Sequence, residues 1–346
     1  MAVLYPHDVK KTLNIFDRLG PLFERVDIRR THRFSRPSLR PSAKEMSAFR
    51  DILKSGWVSN GEWVRRLEQH FEETFGVKHA IATSSCTQAL VIAIRAAGLA
   101  GARVALPAFT WPSTLYGLLL NQCTPVFADI DPRTWLIDLS SVKKQYDAVI
   151  AVDTFGNAAS VLAKTPVIYD AAHGYGLPRL GRRGLVEVVS LSFTKLPTAG
   201  EGGMLLTNDA TIAREALELR RLSARMLEFA AVLAANSIAY YEENQVKRKQ
   251  VIDLYRKLLR VPYVEQAAPR ATNHSVYAIV FRETAARDRA YAALADARYE
   301  TKIYYDPLVR KLPVTEYIYS RVLALPAYPQ MRGRVRDIAR IVNSVA

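Results

Sequence analysis

Between residues 79 and 207 the chain repeats one local pattern. Short apolar runs ("HAIAT", "RVALPAF", "PVFADI", "AVIAVD", "PVIYD", "VEVVSLSF" and "GMLLT") are each followed by a turn signal or a helix-like stretch. Runs this short, nearly all apolar and separated by helical segments, predict a mostly parallel sheet covered by helices on its faces. Polar residues fall where those runs end. Ser84–Thr87, Thr110–Trp111, Asp153, Asp170–His173 and Lys195 all follow predicted strands. Open α/β sheets build ligand sites at that carboxyl edge.

The flanks divide the chain further. Residues 1–40 read as a basic N-terminal extension with some helix. Residues 41–225 form the large α/β domain, opened by a helix from about Ser42 to Ser55. A second helix fits "EWVRRLEQHFEETFG", where Trp63, Leu67, Phe71 and Phe75 recur every four residues and Gly76 is the stop. Residues 226–260 predict one long connecting helix. Residues 261–346 mix strand-like "SVYAIVF" and "ETKIYY" with helix-like "ARDRAYAALADA" and "RVRDIARIVNSV", a small α+β domain. At 346 residues and 49% hydrophobic, the chain has ample material for both cores.

Composition narrows the function. Cys86 and Cys123 are the only cysteines, too few for a disulfide framework and not spaced for zinc, so no metal is expected. The first twenty residues carry charges throughout and lack a signal-peptide core. The longest apolar run, "FAAVLAANSIAYY", is broken by polar residues and reads as a buried helix. A cytoplasmic protein without a membrane partner is the expectation. The net charge of +15, dense in 24–40 and 331–340, suits anionic partners such as nucleotides, phosphates, nucleic acid or acidic lipid. A solvated basic surface accounts for it equally well.

Lys195 sits after an apolar run and before "GEGG". A lysine amine in a dry strand end is desolvated and easier to deprotonate, and a neutral amine attacks carbonyls to form a Schiff base. Asp170, 25 residues upstream, is a carboxylate that can keep a pyridine nitrogen protonated. Trp111 can stack on a flat ring. "SSCTQAL" offers hydroxyls and free N–H groups at a helix start, a ready phosphate site, and Ser190 adds another hydroxyl. Each residue alone has an ordinary explanation: a lysine reaching solvent, a capping aspartate, a core tryptophan, a Ser/Thr cap. Together, in this order and on one sheet edge, they describe a site for pyridoxal 5′-phosphate (PLP).

Here the sequence resembles the DegT/StrS-type nucleotide-sugar aminotransferases, PLP enzymes of fold type I, over roughly residues 36–330. The carrying segments are "SGWVSNGEWVRRLEQHF", "SSCTQAL", "PAFTWPST", "PVFADIDPRTWLID", "YDAAHGYG", "SLSFTKLPTAGEGGMLLTND", "SARMLEFAA" and "YYDPL". The resemblance implies that Lys195 bonds the cofactor aldehyde and shuttles protons, and that Asp170 pairs with the pyridine nitrogen. It implies Trp111 as the stacking residue and Cys86, Thr87 and Ser190 as phosphate holders. His173 stands where glutamine is usual, near the ring hydroxyl. Ser223 stands where an asparagine usually reaches the neighbouring subunit's phosphate, which implies a homodimer. Cys86 replaces a usual glycine, and the link from Phe155 to Pro166 lacks a family helix. Relatives that are deoxysugar dehydratases carry histidine in place of the lysine, so Lys195 argues for amino transfer. The expected reaction moves an amino group from an amino acid, glutamate by resemblance, to a keto group of a nucleotide-activated deoxysugar. The alternatives are another acceptor, such as a cyclitol ketone or modified nucleobase, and a non-catalytic relative that binds anionic partners.

Overall fold

The computed structural model describes residues 32–40, 42–268 and 270–345. Most of the basic N-terminal extension, including Arg29 and Arg30, lies outside the described residues.

All seven expected runs are strands of one sheet: β1 (His79–Thr83), β2 (Arg103–Pro107), β3 (Thr124–Ala128), β4 (Ala148–Val152), β5 (Val167–Asp170), β6 (Val186–Ser190) and β7 (Gly203–Thr207). Their order is β1-β7-β6-β5-β4-β2-β3. The strands from β6 to β3 are parallel, and β7 runs antiparallel to both its neighbours. Because side chains alternate across a strand, each strand feeds two cores. Ile81, Ile150, Ile168, Val188 and Leu205 point to one face, against Leu90, Ala93 and Ile94. Ala80, Ala82, Val189, Met204 and Leu206 point to the other, against Leu67, Phe71 and Ala231. The reversal of β7 matters for the site: its first residue, Gly203, pairs with Thr83 and with Ser190, the last residues of β1 and β6.

Helices α1 (Ala43–Ser55), α2 (Glu62–Phe75), α3 (Cys86–Ala96), α4 (Pro112–Leu120), α5 (Ala210–Ser223) and α6 (Glu228–Ala239) surround this sheet. Helix α1 starts with a reciprocal capping box between Ser42 and Glu45. Helix α2 starts at Gly61, which has no side chain to cap it. Buried Glu228, from the first turn of α6, does so instead, accepting from the N–H groups of Gly61, Trp63 and Val64 at 2.8–3.0 Å.

The second domain holds α7 (Tyr241–Leu258), β8 (Tyr263–Glu265), β9 (Tyr277–Phe281), α8 (Thr284–Asp296), α9 (Pro313–Tyr319), β10 (Val322–Leu325) and α10 (Val335–Val345). Its three strands form an antiparallel sheet in the order β10-β9-β8. Two expectations need correction. The single helix over 226–260 is two, α6 and α7, broken at Tyr240 (φ −109°, ψ 11°). Helix α6 packs on the large domain, while Val251, Ile252 and Tyr255 of α7 build the core of the small one. The break is therefore where the chain changes cores. Arg40 marks it, with its guanidinium 4.1 Å from the Tyr240 ring centroid and bonded to Glu243. The strand-like "ETKIYY" makes only an isolated bridge between Lys302 and Ala324. Its Tyr304 and Tyr305 turn their rings onto Phe155 of the large domain.

The described part of the N-terminal extension is a strap. His32 pairs with Tyr299 of the small domain, Phe34 meets the Tyr304 ring edge-on, and the Arg40 N–H donates to Asn236 of α6.

Candidate active site

The strand ends collect the expected residues on one edge of the sheet. Asp170, the last residue of β5, is buried. Its Oδ2 accepts from the Thr114 hydroxyl at 2.7 Å and its Oδ1 from the Ala172 N–H at 3.2 Å. Burial pushes its carboxyl above the usual range, against the Thr114 bond that favours the charged form. Three residues on, His173 places Nε2 in a very short contact with Lys195 Nζ. Burial drives the imidazole strongly towards its neutral form, and Lys195 adds to this. Lys195 itself is lowered to about 8, chiefly by desolvation. With the imidazole held neutral and the amine near 8, the extra proton rests on Nζ and Nε2 is placed to accept from it.

The other end of the candidate site is built by α3. Ser85 caps this helix, its hydroxyl accepting from Gln88 N–H at 3.2 Å. Among the described residues no hydrogen bond uses the N–H groups of Cys86 or Thr87, the first two of the helix. Gly203 passes directly beneath: a Cβ there would lie 2.5 Å from the Cys86 nitrogen. Only glycine fits so close to backbone, which accounts for the second glycine of the "GG" pair. Its neighbour in the sheet, Ser190, is buried and accepts only a long 3.4 Å contact from Ser192 N–H. Free N–H groups at a helix start beside an uncommitted hydroxyl are the donor set a phosphate needs.

Trp111 precedes α4 and is 49% exposed, its edge against the rings of Tyr304 and Tyr305 at 6.4 Å. An indole held this way has area left for a flat ring to cover. Ser223 ends α5 and is exposed. The next residue, Ala224, accepts from Ser84 N–H at 2.9 Å, so Ser223 stands beside the start of α3. Asp153, noticed for its strand-end position, is committed elsewhere. Arg183 bridges it (2.7 Å) to Glu187 (2.6 Å) in a buried ion cluster.

Sequence reasoning noted Thr110 only as a strand-end residue and missed Thr114 and the contacts behind Asp170. Thr110 and Thr114, both buried, form a chain of hydroxyls ending on Asp170. A carboxylate only accepts, so Thr114 donates to Asp170 and takes its own bond from Thr110. The i, i+4 spacing of two threonines at a helix start was the available signal. Likewise the Thr87 hydroxyl is bonded to Ser113 at 2.9 Å, tying α3 to α4. Replacing Thr114 by Val keeps the shape and removes the donor. A hydrogen bond to a buried charge is worth about 1.5–3 kcal/mol, so kcat/KM is expected to fall roughly tenfold to a hundredfold. Thr114→Ser should restore most of it. Steady-state kinetics on the pair checks this, and equal losses in both would mean the hydroxyl is not what counts.

The comparisons with known proteins agree on one answer. Residues 40–346 match the DegT/DnrJ/EryC1/StrS aminotransferase family. The chain belongs to that family. A crystal structure of DesI in the presence of its TDP-sugar product is 28% identical, with a TM-score of 0.82 over 89% of this chain and 91% of that one. A family aminotransferase from Brucella abortus is 25% identical, with a TM-score of 0.75 over 87% and 95%. PseC of Helicobacter pylori, an aminotransferase involved in the biosynthesis of pseudoaminic acid, shares the fold at 20% identity, with a TM-score of 0.83 over 91% and 99%. The protein is thus a PLP-dependent aminotransferase of fold type I. Among the described residues no helix is long and apolar enough to cross a membrane.

The residues present fit the cofactor. Asp170 is a buried carboxylate that lacks a cationic hydrogen-bond partner among the described residues, and a pyridinium N–H supplies one. Lys195 is a half-buried, desolvated amine within reach of a neutral base, and the start of α3 offers its donors to an anion.

Proposed function

We propose that this chain transfers an amino group from an amino acid, glutamate by family resemblance, to a keto group of a nucleotide-activated deoxysugar, and that it works as a homodimer. The observation that carries the amino-transfer chemistry is the contact of Lys195 with His173, on the same sheet edge as Asp170. When bound, the cofactor supplies an aldehyde that condenses with amines and a ring that withdraws electrons. Everything else falls to the protein. Lowering Lys195 to about 8 leaves about a tenth of its amines neutral at pH 7, against roughly one in three thousand for an ordinary lysine. His173 takes or returns the proton on Nζ. Asp170, steadied by Thr114, holds a proton on the ring nitrogen. Trp111 covers the ring face, while Cys86 and Thr87 donate their N–H groups and Ser190 its hydroxyl to the phosphate.

The charge distribution supports an anionic acceptor. Residues 41–240 carry twenty Lys/Arg against eighteen Asp/Glu. Residues 1–40 carry nine against four, and 241–346 nineteen against eleven. Of the first nine, Arg33, Arg36 and Arg40 lie in the described strap, whose Phe34 meets Tyr304 of the small domain, and Tyr304 and Tyr305 meet Trp111. A diphosphate suits this side of the cleft. Arg40 is occupied by Glu243, whereas Arg33 and Arg36 are exposed. Nucleoside diphosphates are expected to compete with the acceptor and leave glutamate use alone. Arg33→Ala with Arg36→Ala should raise acceptor KM several-fold. Absence of competition would move the acceptor to an uncharged ketone.

The dimer reading rests on exposed apolar residues at the end of α5 and the rim beside it: Leu222 (83% exposed), Trp57 (65%) and Leu227 (54%). Ser223, in the same patch, then reaches the partner's phosphate site through water. An active monomer at low concentration would overturn this part.

A further inference from the structure

Asn273 lies in the segment that enters β9 of the small domain and is 8% exposed. Its side-chain nitrogen donates to the carbonyl oxygens of His173 (2.6 Å) and Tyr175 (2.9 Å). Its side-chain oxygen accepts from the Ser275 N–H (2.9 Å), and its own N–H donates to the Gly156 carbonyl (3.0 Å). The orientation of the amide is forced, because carbonyls only accept and an N–H only donates. The large domain is shaped around this group. A Cβ on Gly156 would come within 1.9 Å of the Asn273 oxygen, and Gly156 has φ +89°. On either side of that glycine, Asn157 bridges to Thr272 and Phe155 stacks on the His173 ring at 6.5 Å. Asn273 of the small domain therefore holds, by its side-chain amide, the turn that carries His173 and, by its backbone N–H, the loop that carries the ring's stacking partner.

We infer that Asn273 is a positioning residue: by latching the 173–175 turn to the small domain, it keeps the His173 imidazole on the Lys195 amine. Without the amide, the His173 carbonyl loses its donor while Tyr175 keeps only the Tyr241 hydroxyl, and the turn can settle elsewhere. The imidazole then leaves Nζ, and the amine exchanges its proton without help. Asn273 touches no substrate in this account, so its effect is carried entirely by His173. The inference rests on the proposed roles of Lys195 and His173.

The experiment uses the holoenzyme and the variants Asn273→Asp and His173→Phe, singly and together. Aspartate has the size of asparagine but sets an oxygen against the two carbonyls. Asn273→Asp is expected to lower kcat about tenfold or more, with glutamate KM within roughly threefold of the parent. It should also move the pH midpoint of the bound cofactor's visible absorbance by at least about half a unit. In the His173→Phe background it should move that midpoint no further, since the coupling runs through His173. Should Asn273→Asp not fold, Asn273→Ser, which keeps one donor, is read the same way. A lower melting temperature with an unmoved midpoint would reduce Asn273 to a structural fastener and overturn the inference. So would an equal midpoint shift in both backgrounds. A parent protein without visible absorbance would instead defeat the underlying reading of the site.

Discussion

Lys195→Ala is expected to abolish turnover, with a loss of at least about 10⁴-fold in kcat, because in the proposed reading it removes both the amine that bonds the cofactor and the proton carrier. Borohydride reduction of the parent holoenzyme, followed by peptide mapping, should fix the cofactor on Lys195, and label on any other lysine would sink the assignment. The burial of this amine adds a second, independent signature. In the folded apoprotein Lys195 is lowered to about 8, whereas the unfolded chain keeps the ordinary 10.5. Between those values the unfolded state binds more protons, so stability contributed here rises with pH across that window. Below pH 8 the folded state bears the whole cost of the buried ammonium, up to about 3 kcal/mol. Lys195→Met, apolar and of similar length, should therefore raise the melting temperature of the apoprotein at pH 7 while destroying activity. A gain that persisted unchanged at pH 11 would mean packing, not charge, was its cause.

This combination of a destabilised fold and a poised amine explains why a candidate site could be picked out in the sequence. Lys195 and Asp170 are residue types that an apolar strand end tolerates poorly, so position and type together singled them out, whereas Trp111 stood out only in their company. The seven strands were legible for a related reason: strands of a sheet covered on both faces, six of them running one way and β7 the other, leave nearly unbroken apolar runs between turns. Where the outcome depended on distant segments meeting, the local pattern failed. Nothing between 226 and 260 announces the break at Tyr240, because the residues on both sides favour helix. The break is marked by Arg40, two hundred residues away, and by the Tyr241 hydroxyl reaching the Tyr175 carbonyl. The strand β10 is four residues long and buried throughout, too short to separate from loop by periodicity. Asn273 shows the same limit at the site. In sequence it is one asparagine before a strand. Its importance exists only once the small domain brings it against the turn after β5.

Asp170→Asn is expected to lower kcat by about 10²-fold or more, near 3 kcal/mol of transition-state stabilisation, while leaving the fold intact. Asparagine matches aspartate in shape, so the Thr114 hydroxyl can still donate to its oxygen. What changes is charge. A carboxylate favours a protonated ring nitrogen, and a neutral amide does not, so the electron-withdrawing power of the ring falls. The pH trend separates this role from that of a helix cap. Burial raises the Asp170 carboxyl, and its interactions with Thr114, Ala172 and Lys195 hold it down. A bound pyridinium acts in the same direction as Lys195. In holoenzyme the carboxylate should thus stay ionised to lower pH than in the apoprotein, and the parent's activity should fall on the acid side as it protonates. Asp170→Asn should lack that acid limb and show a low, flat profile there. A cap would behave otherwise. Asparagine caps as well as aspartate does, so near-parental turnover with the acid limb preserved would place Asp170 among ordinary caps. Thr114→Val provides the intermediate case. It leaves the carboxylate but removes the donor that favours its charged form, so it should move the acid limb to higher pH without flattening it. The ordering of the three profiles tests the hydroxyl chain and the carboxylate as one device.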